Sequence, residues 1–102
     1  MKTILEFPIK VIESQTIAMP KDAAIVFVGV QNDTPCVLAI VHTGRQLETR
    51  TFEIYGTGQR MLEDTEQEGR MYIGTFQMFP LVWHLFERCV LMDESAIALD
   101  AI

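Results

Sequence analysis

The chain has 102 residues, enough for one domain and too few for a second hydrophobic core. Hydrophobic residues make up 49% and charged residues 22%, the composition of a folded globular domain rather than a disordered segment. The net charge of −6 disfavours direct nucleic-acid binding, because an acidic surface repels phosphate backbones.

That charge is unevenly placed. Residues 1–58 carry five basic and six acidic side chains, residues 59–86 two and four, and residues 87–102 one and four. The acids are too sparse for the dense stripe of a DNA mimic. Cys36 and Cys89 are too few for the disulfide framework of a small secreted domain. The start, Met1-Lys2-Thr3-Ile4, meets Glu6 and Lys10 too soon for a signal peptide. The longest apolar runs, Ala23–Val30 and Pro35–Val41, fall well short of the roughly 18 residues that cross a bilayer. A cytoplasmic location without membrane contact is the expectation.

Period-two alternation dominates the first 88 residues. Leu5, Phe7, Ile9 and Val11 share one face and Glu6, Pro8 and Lys10 the other, which predicts a half-buried strand. Pro8 cannot donate to a ladder, so this strand is placed at an edge or with Pro8 outward. A short strand with Ile17 and Met19 inward follows, closed by Pro20-Lys21-Asp22. Ala23–Gln31 and Cys36–His42 are apolar on both faces and rich in Val and Ile. They read as central strands buried on two sides, joined into a hairpin by Asn32-Asp33-Thr34-Pro35. Gly29 inside the first of them predicts a bulge or close packing by a bulky neighbour.

Thr43-Gly44-Arg45-Gln46 is the next turn. Thr49–Tyr55 then places Phe52 and Ile54 on one face and Thr51, Glu53 and Tyr55 on the other, the latter read as a solvent-facing polar row. Gly56-Thr57-Gly58 breaks that strand, and residues 59–68 read as a mobile, solvated acidic loop. Arg70–Met78 and Leu81–Arg88 form a last hairpin around Phe79-Pro80, with Leu81, Trp83 and Leu85 on one face and Val82, His84 and Phe86 on the other. The expected fold is therefore all-β, about seven short antiparallel strands in a β-sandwich or small barrel over residues 1–88. Residues 89–102 form a tail extension that adds either a helix capped by Asp93-Glu94-Ser95 or a strand.

Five phrases keep order and spacing along the chain: Met19-Pro20-Lys21-x-Ala-x-Ile25; Val30-Gln31 with Pro35-Cys36; Thr51-Phe52-x-Ile54-Tyr55-Gly56-Thr57-Gly58; Tyr72-Ile73-Gly74-Thr75-Phe76-Gln77; and His84-Leu85-Phe86-Glu87. In this order they resemble a family of small proteins of tailed bacteriophages and prophages, over about residues 3–88. The resemblance implies an accessory protein acting in the bacterial host cytoplasm, and carries no activity with it. Small phage accessory proteins often bind host machinery, including defence systems such as CRISPR effectors, so an anti-defence role is the implied setting.

No residue pattern points to catalysis or a metal. Cys36 and His42 share a strand face but lie about 20 Å apart at the usual strand rise, and His84 and Cys89 lack zinc-site spacing. Cys36 begins an apolar strand, where a thiol packs as a small hydrophobe. Gly56-Thr57-Gly58 suggests a phosphate cradle but lacks the Lys-Ser/Thr of a P-loop, and a tight turn at a strand end is preferred. With Tyr55 it remains a candidate ligand turn. No cofactor is expected.

The expectation is a non-enzymatic protein that binds a host protein or complex, with a homodimer as a further possibility. Its candidate partner surface comprises Glu63, Asp64, Glu66 and Glu68 in the loop and Asp93, Glu94, Ile97 and Leu99 in the tail. Two alternatives stand beside it: a pocket that sequesters a nucleotide or other small molecule at Tyr55–Gly58, and a minor virion or assembly component.

Overall fold

The computed structural model describes residues 1–90; the tail residues singled out above, Asp93, Glu94, Ile97 and Leu99, lie outside them. Seven antiparallel strands follow one another: β1 (Lys2–Pro8), β2 (Ser14–Pro20), β3 (Ala24–Gln31), β4 (Thr34–His42), β5 (Leu47–Gly56), β6 (Glu68–Met78) and β7 (Leu81–Val90). They form a three-stranded sheet in the order β1-β4-β3 and a four-stranded sheet in the order β2-β5-β7-β6. The sheets pack face to face, so of the two architectures the strand spacing allows, sandwich or small barrel, the chain adopts the sandwich. The last strand runs two residues past the boundary expected at residue 88.

Turn chemistry fixes both hairpins. Asn32 and Asp33 adopt φ of 50° and 62°, the left-handed pair a two-residue β3–β4 turn needs to match strand twist. Phe79-Pro80, with a cis peptide bond, joins β6 to β7. Between the first two strands the Gln15 side chain both accepts from the Lys10 amide and donates to its carbonyl, at 3.0 and 2.6 Å. That clamp turns the chain from one sheet to the other.

The core lies between the sheets. Val37, Ala39 and Val41 of β4 face Met19, Phe52, Ile54, Phe76 and Leu85 of the other sheet, and Ile9 closes one end. Full burial of a side chain such as Phe52 contributes about 1.5–3 kcal/mol. Inward Ile17 and Trp83 agree with the alternation in β2 and β7. In β1, Phe7 packs on the core, whereas Leu5 is half exposed.

Two expectations are corrected here. The segment 23–31 is not a doubly buried central strand: β3 is an edge, and Val26, Phe27 and Val30 are exposed. β4 alone is central in that sheet, and its Cys36, Val37, Ala39 and Val41 are buried accordingly. The bulge falls at Val26, between Ile25 and Phe27, and the Phe27 ring lies over Gly29, where a Cβ would come within 2.4 Å of it. Gly29 thus accommodates close packing rather than the bulge itself.

The second correction concerns Glu53 and Tyr55. They are not a solvated row, for each is only 2% exposed. They do lie on the face opposite Phe52 and Ile54, but residues 57–67 fold back over that face and cover them. β3 also crosses the long edge strand β6 closely, with Val28 Cγ1 set 2.3 Å from where a Cβ at Gly74 would stand.

Candidate functional site

Three features stand out on this frame: a buried ionic cluster, a small cavity beside it, and an apolar sheet face on the far side.

The cluster forms because β7 inserts between β5 and β6, which aligns Glu53, Arg88 and Arg70 on one face. Arg70 Nε donates to Glu53 Oε1 at 2.7 Å and its Nη2 to Oε2 at 3.3 Å; Arg88 Nε lies 3.4 Å from Oε2. The Tyr55 hydroxyl donates to Glu53 Oε1 at 2.7 Å. Burial alone would raise the Glu53 carboxyl. The hydrogen bonds from Arg70 and Tyr55 and the charges of Arg70 and Arg88 outweigh it and hold the carboxyl below its usual range. Burial, and then the bond to Glu53, push the Tyr55 phenol up.

The cluster also ties down the acidic loop. Arg70 Nη1 donates to the Glu63 carbonyl at 3.3 Å and pairs with Asp64 at 3.5 Å. Glu68 begins β6 and pairs with Arg88. Thr65 Oγ1 accepts from the Gln67 and Glu68 amides at 3.2 and 2.9 Å. Residues 59–67 are therefore exposed, as predicted, but are anchored rather than loose. Of the four acids proposed for partner binding, Asp64 and Glu68 are engaged within the chain. Glu63 and Glu66 make no ion pair among the described residues.

A cavity of about 230 Å³ is lined by Tyr55, Gly56, Thr57 and Gly58, the four residues of the predicted ligand turn, together with Gln59, Met61, His84 and Phe86. The turn is built by Gln59, whose amide donates to the Gly56 carbonyl at 3.0 Å while its side-chain oxygen accepts from the Gly56 amide at 2.9 Å. Gly58 takes φ of 86°, a conformation that side chains rarely adopt. His84 sits between two hydroxyls, Thr57 Oγ1 at 2.8 Å from Nε2 and Thr75 Oγ1 at 2.9 Å from Nδ1, with the Tyr72 hydroxyl bonded to Thr75. Both ring nitrogens are thus satisfied within the protein. Among the described residues no group of three or more His, Cys, Asp or Glu is placed to hold a metal ion. Cys36 and Cys89 are free thiols, and burial, followed by the Glu6 carboxylate nearby, pushes the Cys36 thiol up.

A second buried pair lies between the sheets. Arg50 clamps Glu87 with two bonds of 2.7 Å and reaches the Ala23 carbonyl at 2.6 Å, which pins the turn before β3 to the four-stranded sheet.

The third feature is the outer face of the three-stranded sheet. The register aligns Ile4, Ile40 and Ala24 in one row and Glu6, Leu38 and Phe27 in the next. Ile4 is 59% exposed, Phe27 45% and the bulge residue Val26 54%, and Leu38 and Ile40 are half-buried beside them. Sequence reasoning assigned Val26, Phe27, Leu38 and Ile40 to strands buried on both sides.

Fold and cluster together define a seven-stranded antiparallel β-sandwich with Glu53, Arg70 and Arg88 paired within the chain. The chain belongs to the family described as a domain of unknown function, DUF7352, whose model matches residues 1–94. The match thus extends four residues beyond the described ones. No curated protein and no solved structure matches the chain.

Proposed function

We propose that the protein is a non-enzymatic binding module that docks a protein partner on the outer face of its three-stranded sheet. In the setting implied by the phage-like phrases, the partner is a protein of the bacterial host, met in its cytoplasm, and the effect is inhibition or modulation. The observation that carries the reading is the row of exposed Ile4, Val26 and Phe27 over half-buried Leu38 and Ile40. A monomeric surface seldom exposes large apolar groups in contiguous rows without a use. A partner suited to this face is apolar at its centre, with Phe27 as the aromatic anchor, and polar at the rim beside Lys2, Glu6 and His42. Glu63 and Glu66 lie on the opposite side of the sandwich and are a separate surface in this reading.

Affinity capture from phage-infected bacteria with the wild-type and Phe27→Ser chains tests it. A host protein retained by the wild type, lost with Phe27→Ser and bound again when both proteins are purified supports docking on this face. Equal recovery by both chains, or recovery of nothing, overturns it.

A second reading draws on the cavity at Tyr55–Gly58. All four residues of the turn line it, and Phe86 and His84 supply flat surfaces against which a small planar molecule would stack. Its 230 Å³ is below the usual range of about 300–1,000 Å³ for ligand pockets, which restricts the ligand to a small one. Calorimetry with nucleotides and cyclic nucleotides decides this reading: a saturable heat abolished by Thr57→Val supports it, and no heat ends it.

A further inference from the structure

β1 is the outermost strand of its sheet and has a single neighbour, β4, among the described residues. Its backbone alternates in a way the hydrogen bonds reveal. The Ile9 amide donates to the Pro35 carbonyl at 2.9 Å, and the Met1 carbonyl accepts from the Thr43 amide at 2.9 Å, both in the register that pairs Lys2 with His42. Odd-numbered residues of β1 therefore turn their N–H and C=O groups towards β4. Those of Lys2, Ile4 and Glu6 point outward, away from the sheet. Pro8 falls at the next outward position, where its missing N–H costs no ladder bond. The open edge is thus a run of three complete donor–acceptor positions, ended by a proline.

Side chains of the same three residues sit on the exposed apolar face, in the order cation, aliphatic, anion. Ile4, in the middle, is 59% exposed. This order is its own complement when read in the opposite direction. An antiparallel strand of identical sequence, centred on Ile4, brings Lys2 opposite the partner's Glu6, Glu6 opposite the partner's Lys2 and Ile4 opposite its own twin. Each of these pairs is of the type that exchanges both backbone N–H···O bonds. Opposite charges facing each other across such a pair are favourable, and like charges are unfavourable. A shift by one pairing position in either direction places Glu6 or Lys2 opposite Ile4, and one of those shifts also spends Pro8 on a bonding position it cannot fill.

We propose that β1 pairs antiparallel with β1 of a second copy about a twofold axis at Ile4, joining the two three-stranded sheets into one of six strands. An isologous contact of this kind closes on itself and gives a dimer rather than a filament. It also joins the two apolar outer faces into one, with both Ile4 side chains at the seam. The inference goes beyond the docking surface proposed above and does not depend on it, since either interface forms without the other.

Sedimentation velocity over a concentration series tests it with charge swaps. The wild type passes from monomer to dimer as concentration rises. K2E places Glu opposite Glu, and E6K places Lys opposite Lys. Each alone weakens self-association at least about tenfold, while an equimolar mixture of the two restores a dimer, because every cross-strand pair then carries opposite charges. The double variant K2E/E6K restores it within one chain. Both positions are exposed, so a thermal melt of each variant matches the wild type. A wild type that stays monomeric into the millimolar range overturns the proposal. So does a dimer indifferent to the single swaps, or a mixture that fails to associate. A wild type that stays monomeric yet still captures its partner refutes this interface alone.

Discussion

Replacing Arg70 by Met removes the cation that holds the buried Glu53 carboxylate. The two side chains are 5% and 2% exposed and meet through bonds of 2.7 and 3.3 Å. Breaking one partner of such a pair costs about 3–5 kcal/mol, because the remaining charge is left in a poorly solvated place. Arg88 stays within 3.4 Å of Glu53, so the lower end, about 3 kcal/mol, applies. At roughly 4–8 °C per kcal/mol for a domain of this size, the melting temperature falls by at least about 12 °C. The loop loses its anchor as well, since Arg70 holds the Glu63 carbonyl and Asp64. Adding Glu53→Gln to Arg70→Met removes the stranded charge and recovers more than half of the loss. Urea unfolding of the single and double variants, followed by tryptophan fluorescence, measures both terms. A loss below about 1 kcal/mol for Arg70→Met, the scale of a surface pair, refutes the reasoning. A double variant as unstable as the single one refutes it too.

Other expectations follow from the same geometry. The Glu53 carboxyl is held low in the folded state, so its stabilising contribution is full above the unfolded carboxylate value of about 4.3 and disappears as pH falls through the lower folded value. Urea midpoints measured from pH 7 to pH 3 therefore drop in acid, and drop less steeply in Glu53→Gln. Gly74→Ala drives a Cβ to 2.3 Å from Val28 Cγ1 and destabilises by about 1–3 kcal/mol, and Val28→Ala in the same chain relieves it. Gly29→Ala meets only the Phe27 ring, which is 45% exposed and free to swing outward, so its thermal melt shifts far less than that of Gly74→Ala. In the native protein a thiol reagent labels half-buried Cys89 well before buried Cys36, whose thiol burial pushes up; mass spectrometry of partly labelled protein reads the order.

Much of the fold was legible because alternation reports strand faces directly. Ile17 and Met19, Phe52 and Ile54, and Trp83 and Leu85 all point inward as the pattern requires. Asn32-Asp33 marks its hairpin because few other residues tolerate two successive left-handed positions. What alternation cannot report is what covers a face. Glu53 and Tyr55 were placed on the correct side of β5, but their burial depends on residues 57–67 folding back across it. The Arg70 and Arg88 pairing with Glu53 depends on a strand order, β5-β7-β6, that is not sequential. Val26 and Phe27 were misread for a related reason: a strand apolar on both faces has the same pattern whether the second face meets a core or a partner. The turn at Gly56–Gly58 was legible because glycine spacing is a local signal. The exposed sheet face was not.

We place the working surface on the outer face of the three-stranded sheet rather than on the acidic loop. Titration of the captured host partner with three chains tests it most directly: wild type, Phe27→Ser, and Glu63→Gln/Glu66→Gln. Docking on the sheet face requires that Phe27→Ser weaken binding at least about tenfold, as loss of an aromatic anchor does, while the double glutamine chain binds within about twofold of the wild type. Full affinity for Phe27→Ser with weakened binding of the glutamine chain contradicts it.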